Sequence, residues 1–318
     1  MKKSILFLAT AMAVLTGCYE DYVKDYDQSA VFIAYQYDLR TFVLDEGEKF
    51  KFTVGLGGVM QNQQDRDVSL VLDPSLLGGA VASFTDKEKV SGDYVADFIS
   101  ESGIEEIVEL PQSYYTIDGL DGLKIRKGWH TASVTLKATE QMRNDPKMFA
   151  ANYAVPFRIV KADADIIVPG KDYAVVAVRC ENRFYGYWSH SCKIEETDAS
   201  GNEVRTTYIP HSTTDGNAYN LTSVNAESLL CDKVAGETRE MLLTFSGNDI
   251  IVASADGVVT GTGRFNGDKL LQNRKLYLEY SYTNAAGNTV SVMDTLRFRN
   301  RIRDGINEYR DENPENYK

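Results

Sequence analysis

Few side chains in this 318-residue chain could do chemistry. The histidines are His130, His190 and His211, and the cysteines are Cys18, Cys180, Cys192 and Cys231. His190, Cys192, His211 and Cys231 are metal-ligand types, and on a strand His190 and Cys192 share a face because side chains alternate. Their spacings match no zinc pattern, so no metal and no cofactor is expected. Ser189 and Ser191 flank His190, yet no Gly-x-Ser-x-Gly elbow is present. Glycoside hydrolysis needs two carboxylates across the scissile bond. The nearest close-spaced acids are Asp163 and Asp165 in Lys161-Ala162-Asp163-Ala164-Asp165, before Ile166-Ile167-Val168. That stretch has no glutamate in place and reads as a loop between strands. Gly261-Thr262-Gly263 sits within a strand pattern, where glycine marks a bend or bulge rather than a phosphate loop. No catalytic residue is assigned, and the chain is expected not to be an enzyme.

Binding has better material. Tyrosine is abundant at 19 residues, with 2 tryptophans. Sugar rings stack their apolar faces on flat aromatic side chains, and Tyr and Trp add a polar handle. Trp129 lies at the bend Lys127-Gly128-Trp129-His130, where it is either an exposed platform or a rim residue over the end of a sandwich. Tyr185, Tyr187 and Trp188 follow Phe184 at the start of a second rhythm of strands. There Gly186-x-Trp188 resembles the opening of calycin-type barrels, whose tryptophan plugs the barrel base. Tyr208, Tyr219 and Tyr277 are further carriers. The candidate glycan-binding set is therefore Trp129, Tyr185, Tyr187, Trp188, Tyr208, Tyr219 and Tyr277.

The remaining cysteine has a different chemistry. Lys2 and Lys3 precede an apolar stretch from Ser4 to Val14, too short to span a bilayer. Leu15-Thr16-Gly17-Cys18 reads as a lipobox, in which the Cys18 thiol takes a diacylglycerol before cleavage. Residues 1–17 are thus expected to be a lipoprotein signal peptide, with Cys18 the site of lipid attachment and acyl chains such as palmitate the only link to a membrane. Residues 18–29 form an acidic tether. The formal net charge of -12 becomes -14 once Lys2 and Lys3 are removed, a surface that repels nucleic acid. Cys180, Cys192 and Cys231 are an odd number, and their disulfide pairing stays open.

These side chains must be positioned by strands. Phe50, Phe52, Val54 and Leu56 alternate with polar or small residues, a period of two with one buried face. Asp45-Glu46-Gly47-Glu48 before them reads as a turn. Further strands are expected at 68–72, 114–117, on either side of Gly128 within 124–137, at 154–160 and at 174–180. Residues 78–110 break this rhythm and read as a partly helical insertion. Residues 30–181 thus form an immunoglobulin-like β-sandwich. From 182 to 318, about eight strands with tight turns predict an antiparallel β-barrel, lipocalin-like, or a curled sandwich. The fold class is all-β.

The order of segments resembles that of Bacteroidetes surface lipoproteins of polysaccharide utilisation systems. The residues that carry the resemblance are DEGEKFKFTVGLGG, DVSLVLDPSLL, LPQSYYTID, IRKGWHTASVTL, NYAVPFRIVKAD and YAVVAV. They match an amino-terminal domain of unknown function that some endo-glycosidases share. The stretch from ENRFYGYWSH to RNRIRDGINEY resembles its usual carboxy-terminal partner. The acidic residues after Cys18 resemble the export tag of such lipoproteins. The resemblance implies an outer-membrane protein facing the cell exterior, an oligosaccharide or polysaccharide ligand, and a TonB-dependent transporter complex as partner. An assembly partner that touches no sugar, and an unrecognised glycoside hydrolase, are the alternatives.

Overall fold

The computed structural model describes residues 26–212, 217–235, 237 and 239–311. The expected signal peptide, Cys18 and most of the expected acidic tether lie outside the described residues. Among the described residues no helix is long and apolar enough to cross a membrane.

The first domain is two curled sheets packed face to face. Its strands are β1 (Ala30–Phe32), β2 (Tyr37–Val43), β3 (Lys49–Gly57), β4 (Arg66–Leu72), β5 (Val108–Glu109), β6 (Tyr115–Asp118), β7 (Lys124–Ile125), β8 (Thr131–Ala138), β9 (Tyr153–Ala162), β10 (Ile166–Ile167) and β11 (Tyr173–Glu181). One sheet runs β10-β1-β3-β8-β6 and the other β2-β11-β9-β4-β7, with β5 beside β9. The alternation of β3 does what its period dictates. Phe52, Val54 and Leu56 enter the core between the sheets, where the Phe52 ring stacks on Phe157.

Strand β11 is apolar without alternation, because both its faces are covered. Val176, Val178 and Cys180 pack into the sandwich core. Val175 and Ala177 face the other way, against the insertion at 78–110. That insertion folds into α1 (Ala80–Phe84) and α2 (Asp93–Glu101). Phe84, Val95, Ala96 and Ile99 are the side chains it lays on the sheet.

The second domain is a closed barrel. Its strands are β12 (Gly186–Thr197), β13 (Glu203–Ile209), β14 (Ala218–Ser223), β15 (Ser228–Cys231), β16 (Met241–Ser246), β17 (Asp249–Ala253), β18 (Thr260–Phe265), β19 (Lys275–Thr283), β20 (Thr289–Arg303) and β21 (Ile306–Glu308). Each of β14 to β20 pairs with its sequence neighbour, and β20 returns to β12 along the whole of β12, which closes the ring. Strand β12 serves three partners. Gly186 to Ser189 pair with β14, while Cys192 to Thr197 pair with β13, which hangs outside the ring. Glycine is required where strands approach closely: a Cβ at Gly261 would lie 2.2 Å from the Glu279 carbonyl oxygen on β19. Antiparallel closure removes the edges that β14 to β19 would otherwise expose.

The two domains meet on a buried charge. Glu46 belongs to the turn between β2 and β3, yet its side chain is only 1% exposed. Its carboxylate accepts from Arg274 at 2.7 Å and from Arg301 at 2.5 Å, both on the barrel side. Arg301 also donates to Glu308 at 2.6 Å and lies over the Tyr185 ring. Two guanidiniums thus face two carboxylates, so the buried charges balance. Burial alone would push the Glu46 carboxyl up, but Arg301 and Arg274 outweigh it and hold it below the ordinary glutamate value.

Removing one partner of such a group leaves a buried charge uncompensated, at a cost of about 3–5 kcal/mol. Glu46→Ala is therefore expected to lower unfolding stability by that order at neutral pH in urea titrations. Because the folded carboxyl titrates below its unfolded value, its stabilisation is present above the ordinary glutamate range. It is lost as pH falls through the folded value. The native chain should lose more stability than Glu46→Gln on acidification below about pH 5, and equal losses would contradict the assignment.

Candidate glycan-binding site

Alternation on β12 decides which aromatic residues can meet a ligand. Trp188 points into the barrel and is 0% exposed; its indole N–H donates to the Phe184 carbonyl at 2.9 Å and its ring meets Phe298 edge-on. Tyr185 is buried at the domain junction under Arg301, and Tyr219 is buried against His190. The expectation that Trp188, Tyr185 and Tyr219 bind sugar is corrected accordingly, since none of their rings offers a face to solvent. Tyr187, Tyr208, Tyr277 and Trp129 are exposed.

The four exposed rings do not converge. Trp129 sits on the turn before β8, held by Asn62, whose amide donates to the Trp129 and Arg126 carbonyls. The nine residues of β3 separate that end of the first domain from Glu46 at the junction, about 30 Å of extended chain. Tyr208 opposes Lys193 on β12, six positions from Tyr187, roughly 20 Å along the strand. Tyr277 opposes Thr295 on β20, five positions from the Asn300 that faces Tyr187.

Tyr187 has company of another kind. It stands between Asn220 on β14 and Asn300 on β20, its directly opposed partners on the two neighbouring strands. These residues, with Asp232, Lys233 and Arg299, line a cleft of about 340 Å³. Its polar groups are held in place. Asp232 accepts from the Asn220 backbone N–H at 2.8 Å, Lys233 donates to the Ala218 carbonyl at 2.8 Å, and the Asn300 amide donates to Asn307 at 2.8 Å. A half-exposed ring flanked by two amides, a carboxylate and two cations can stack a sugar face and meet its hydroxyls. A larger cleft, about 660 Å³, lies between residues 77–82 and 105–109. It offers glycines, small aliphatic side chains and three glutamates, with no ring to stack on, so the Tyr187 cleft is the better candidate.

Sequence reasoning found Tyr187 but missed Asn220, Asp232, Lys233, Arg299 and Asn300. The two asparagines become neighbours only through cross-strand register, and β15, which delivers Asp232 and Lys233, was not recognised as a strand.

The chemistry-bearing residues of β12 are split between its faces. Outside the barrel, Ser189 Oγ lies 2.9 Å from His211 Nε2. Inside, His190 Nδ1 lies 3.3 Å from Asp294 Oδ1 on β20. Ser189 with His211 and His190 with Asp294 are therefore divided by the sheet, and form no single relay. Cys180, Cys192 and Cys231 are free, buried thiols. Burial and the Asp294 carboxylate push the Cys192 thiol up to about 12. Asp165, from the acidic stretch, accepts from the backbone N–H and the hydroxyl of Ser29, which ties β10 to the start of β1.

A two-domain chain with a capped β-sandwich and a closed β-barrel defines the class, and comparison with known proteins agrees with it. Residues 26–166, a little under half the chain, match a family model described as an N-terminal domain. No curated protein matches the chain. A Bacteroides ovatus protein of unknown function shares the fold at a TM-score of 0.63 and 20% identity, over 90% of this chain and 98% of that one. An auxiliary nutrient binding protein from Bacteroides thetaiotaomicron superposes at 0.37 and 13% identity, over 81% and 85% of the two chains. That superposition is too loose to bear on this chain. The family model covers most of the first domain, and the Bacteroides ovatus structure has the same two-part fold.

The two faces of β12 should respond differently to truncation. Trp188→Ala empties the barrel base and is expected to cost about 3–5 kcal/mol. Tyr187→Ala should stay within about 0.5 kcal/mol of the native chain. Urea unfolding monitored by far-ultraviolet circular dichroism measures both, and a large loss in Tyr187→Ala would show that its ring is structural.

Proposed function

We propose that this chain is an outer-membrane lipoprotein that binds glycan at the cell surface without transforming it, and that Tyr187 is the platform on which a sugar ring stacks. The observation that carries this reading is the cleft itself. A tyrosine ring on a rigid barrel wall is bordered by Asn220, Asn300, Asp232, Lys233 and Arg299. Sites built on strands hold their geometry better than sites on loops.

The path of the chain supports the orientation. The Tyr26 backbone N–H donates to the Gly58 carbonyl, at the end of β3 remote from the barrel. With lipid on Cys18, eight chain steps would separate the anchor from Tyr26, a reach of at most about 27 Å. The first domain then acts as a spacer, the Trp129 end faces the membrane, and the barrel points outward. A TonB-dependent transporter is the partner that would receive the captured polysaccharide. The outer row Ile251, Thr262, Glu279, Met293, Lys193 and Tyr208 interleaves apolar with charged and polar side chains. It lacks the continuous apolar patch that a purely structural docking role would favour.

A glycan-array screen of the chain lacking residues 1–18 tests the proposal. It should find at least one host or plant polysaccharide bound above background. Tyr187→Ala should weaken that binding about tenfold, or about 1.4 kcal/mol, with the glycan itself recovered unchanged in length. An empty array, or binding indifferent to Tyr187→Ala, would remove the reading.

A further inference from the structure

Three ligand-type side chains converge inside the barrel. His190 and Cys192 project inward from β12, and Asp294 projects inward from β20 directly opposite Cys192 in the ladder. Their donor atoms all lie within 4.8 Å of one another, and all three residues are buried.

The carboxylate is poorly served for so buried a group. Its side chain is 0% exposed. Its contacts among the described residues are His190 Nδ1 at 3.3 and 3.4 Å and the Tyr280 hydroxyl at 3.4 Å. Good hydroxyl–carboxylate hydrogen bonds are shorter, about 2.5–3.0 Å. A second observation is independent of that one. The Tyr219 ring stacks on His190 at 4.3 Å, and its buried hydroxyl has no hydrogen-bond partner among the described residues. That ring contact with His190 sets Tyr219 beside the cluster. Buried polar atoms are normally satisfied, and one left over calls for a partner.

The geometry points to a binding site for a divalent transition metal of the zinc class, held by the His190 ring nitrogen, the Cys192 thiolate and an Asp294 oxygen, with the Tyr219 hydroxyl beside the fourth position. Nitrogen, sulfur and oxygen donors together suit zinc, which takes four ligands at about 2.0–2.3 Å. Donors around such an ion stand roughly 3.3–3.8 Å apart, so shifts of about an ångström gather the set. The charges also balance. A thiolate and a carboxylate cancel a dication, while neutral imidazole adds nothing, so the barrel interior holds no net charge. Supporting groups are present, as bound metals require. The Tyr280 hydroxyl stands 3.4 Å from Asp294, and Ile209 on β13 is the ladder partner of Cys192. Alternation already places His190 and Cys192 on one face, but Asp294, about a hundred residues from Cys192, joins them only through cross-strand register.

Binding must release the Cys192 proton, so apparent affinity should fall about tenfold per pH unit on acidification. The test uses the reduced mature chain, equilibrated with excess zinc and then desalted. Elemental analysis should find one equivalent retained. Replacement by cobalt(II) should give a sulfur-to-cobalt charge-transfer band in the near ultraviolet. Cys192→Ser, nearly isosteric, should abolish that band, and Cys180→Ser in the first domain should leave it intact. Asp294→Asn should lower retention at least tenfold; if it fails to fold, the cysteine pair still decides. Failure to retain metal, or a band that survives Cys192→Ser, would overturn the site.

Discussion

A buried carboxylate joins the two domains. Glu46 leaves the first domain on a turn and ends among the guanidiniums of Arg274 and Arg301 at the base of the barrel. Neither arginine could stay buried without a counter-charge, and Glu46 could not stay ionised without them. The consequence reaches beyond the junction. Arg301 also covers Tyr185 and binds Glu308 on β21. Its chain neighbours Arg299 and Asn300 are then held as one wall of the Tyr187 cleft. A Cβ at Gly186 would lie 2.6 Å from the Arg301 Cβ, so the close approach of β20 there also dictates glycine at the start of β12. The ionic contact that joins the domains thus fixes the strand ends from which the candidate site is built.

Strand β12 carries that constraint to the candidate site. It pairs with β14, β13 and β20, and its two faces carry different work. The inner face supplies Trp188 to the barrel base and His190 and Cys192 to the polar centre. The outer face supplies Tyr187 to the cleft. Because alternation has a period of two, neither set can borrow from the other. A ligand on the wall and an ion in the core would therefore occupy separate sites on one rigid strand.

Much of this was legible in the sequence, and the misses have physical causes. The period-two run of β3 and the tight turns of the second half predicted the strands and the all-β class. The apolar run of β11 was read as a strand, though its second cover came from the insertion, whose helices a strand-based reading could only sketch. Glu46 looked like an exposed turn residue because its partners lie more than two hundred positions away. The same limit applies to Asn220, Asn300 and Asp294, which reach their neighbours only through register. The alternating pattern of Glu203–Ile209 suits a barrel strand. Instead β13 lies outside the ring, and the short, unrecognised β15 takes a place in it. Tyr219 shows the limit for single residues, since nothing local distinguishes its inward ring from the outward ring of Tyr187.

The central claim is that sugar rests on the barrel wall at Tyr187. A crystal structure of the chain with an oligosaccharide selected by its own binding screen tests that claim most directly. The account predicts a sugar ring parallel to the Tyr187 ring, with hydroxyls within hydrogen-bond reach of Asn220, Asn300 or Lys233. A sugar ordered on Trp129, or on any surface away from β12, would contradict it.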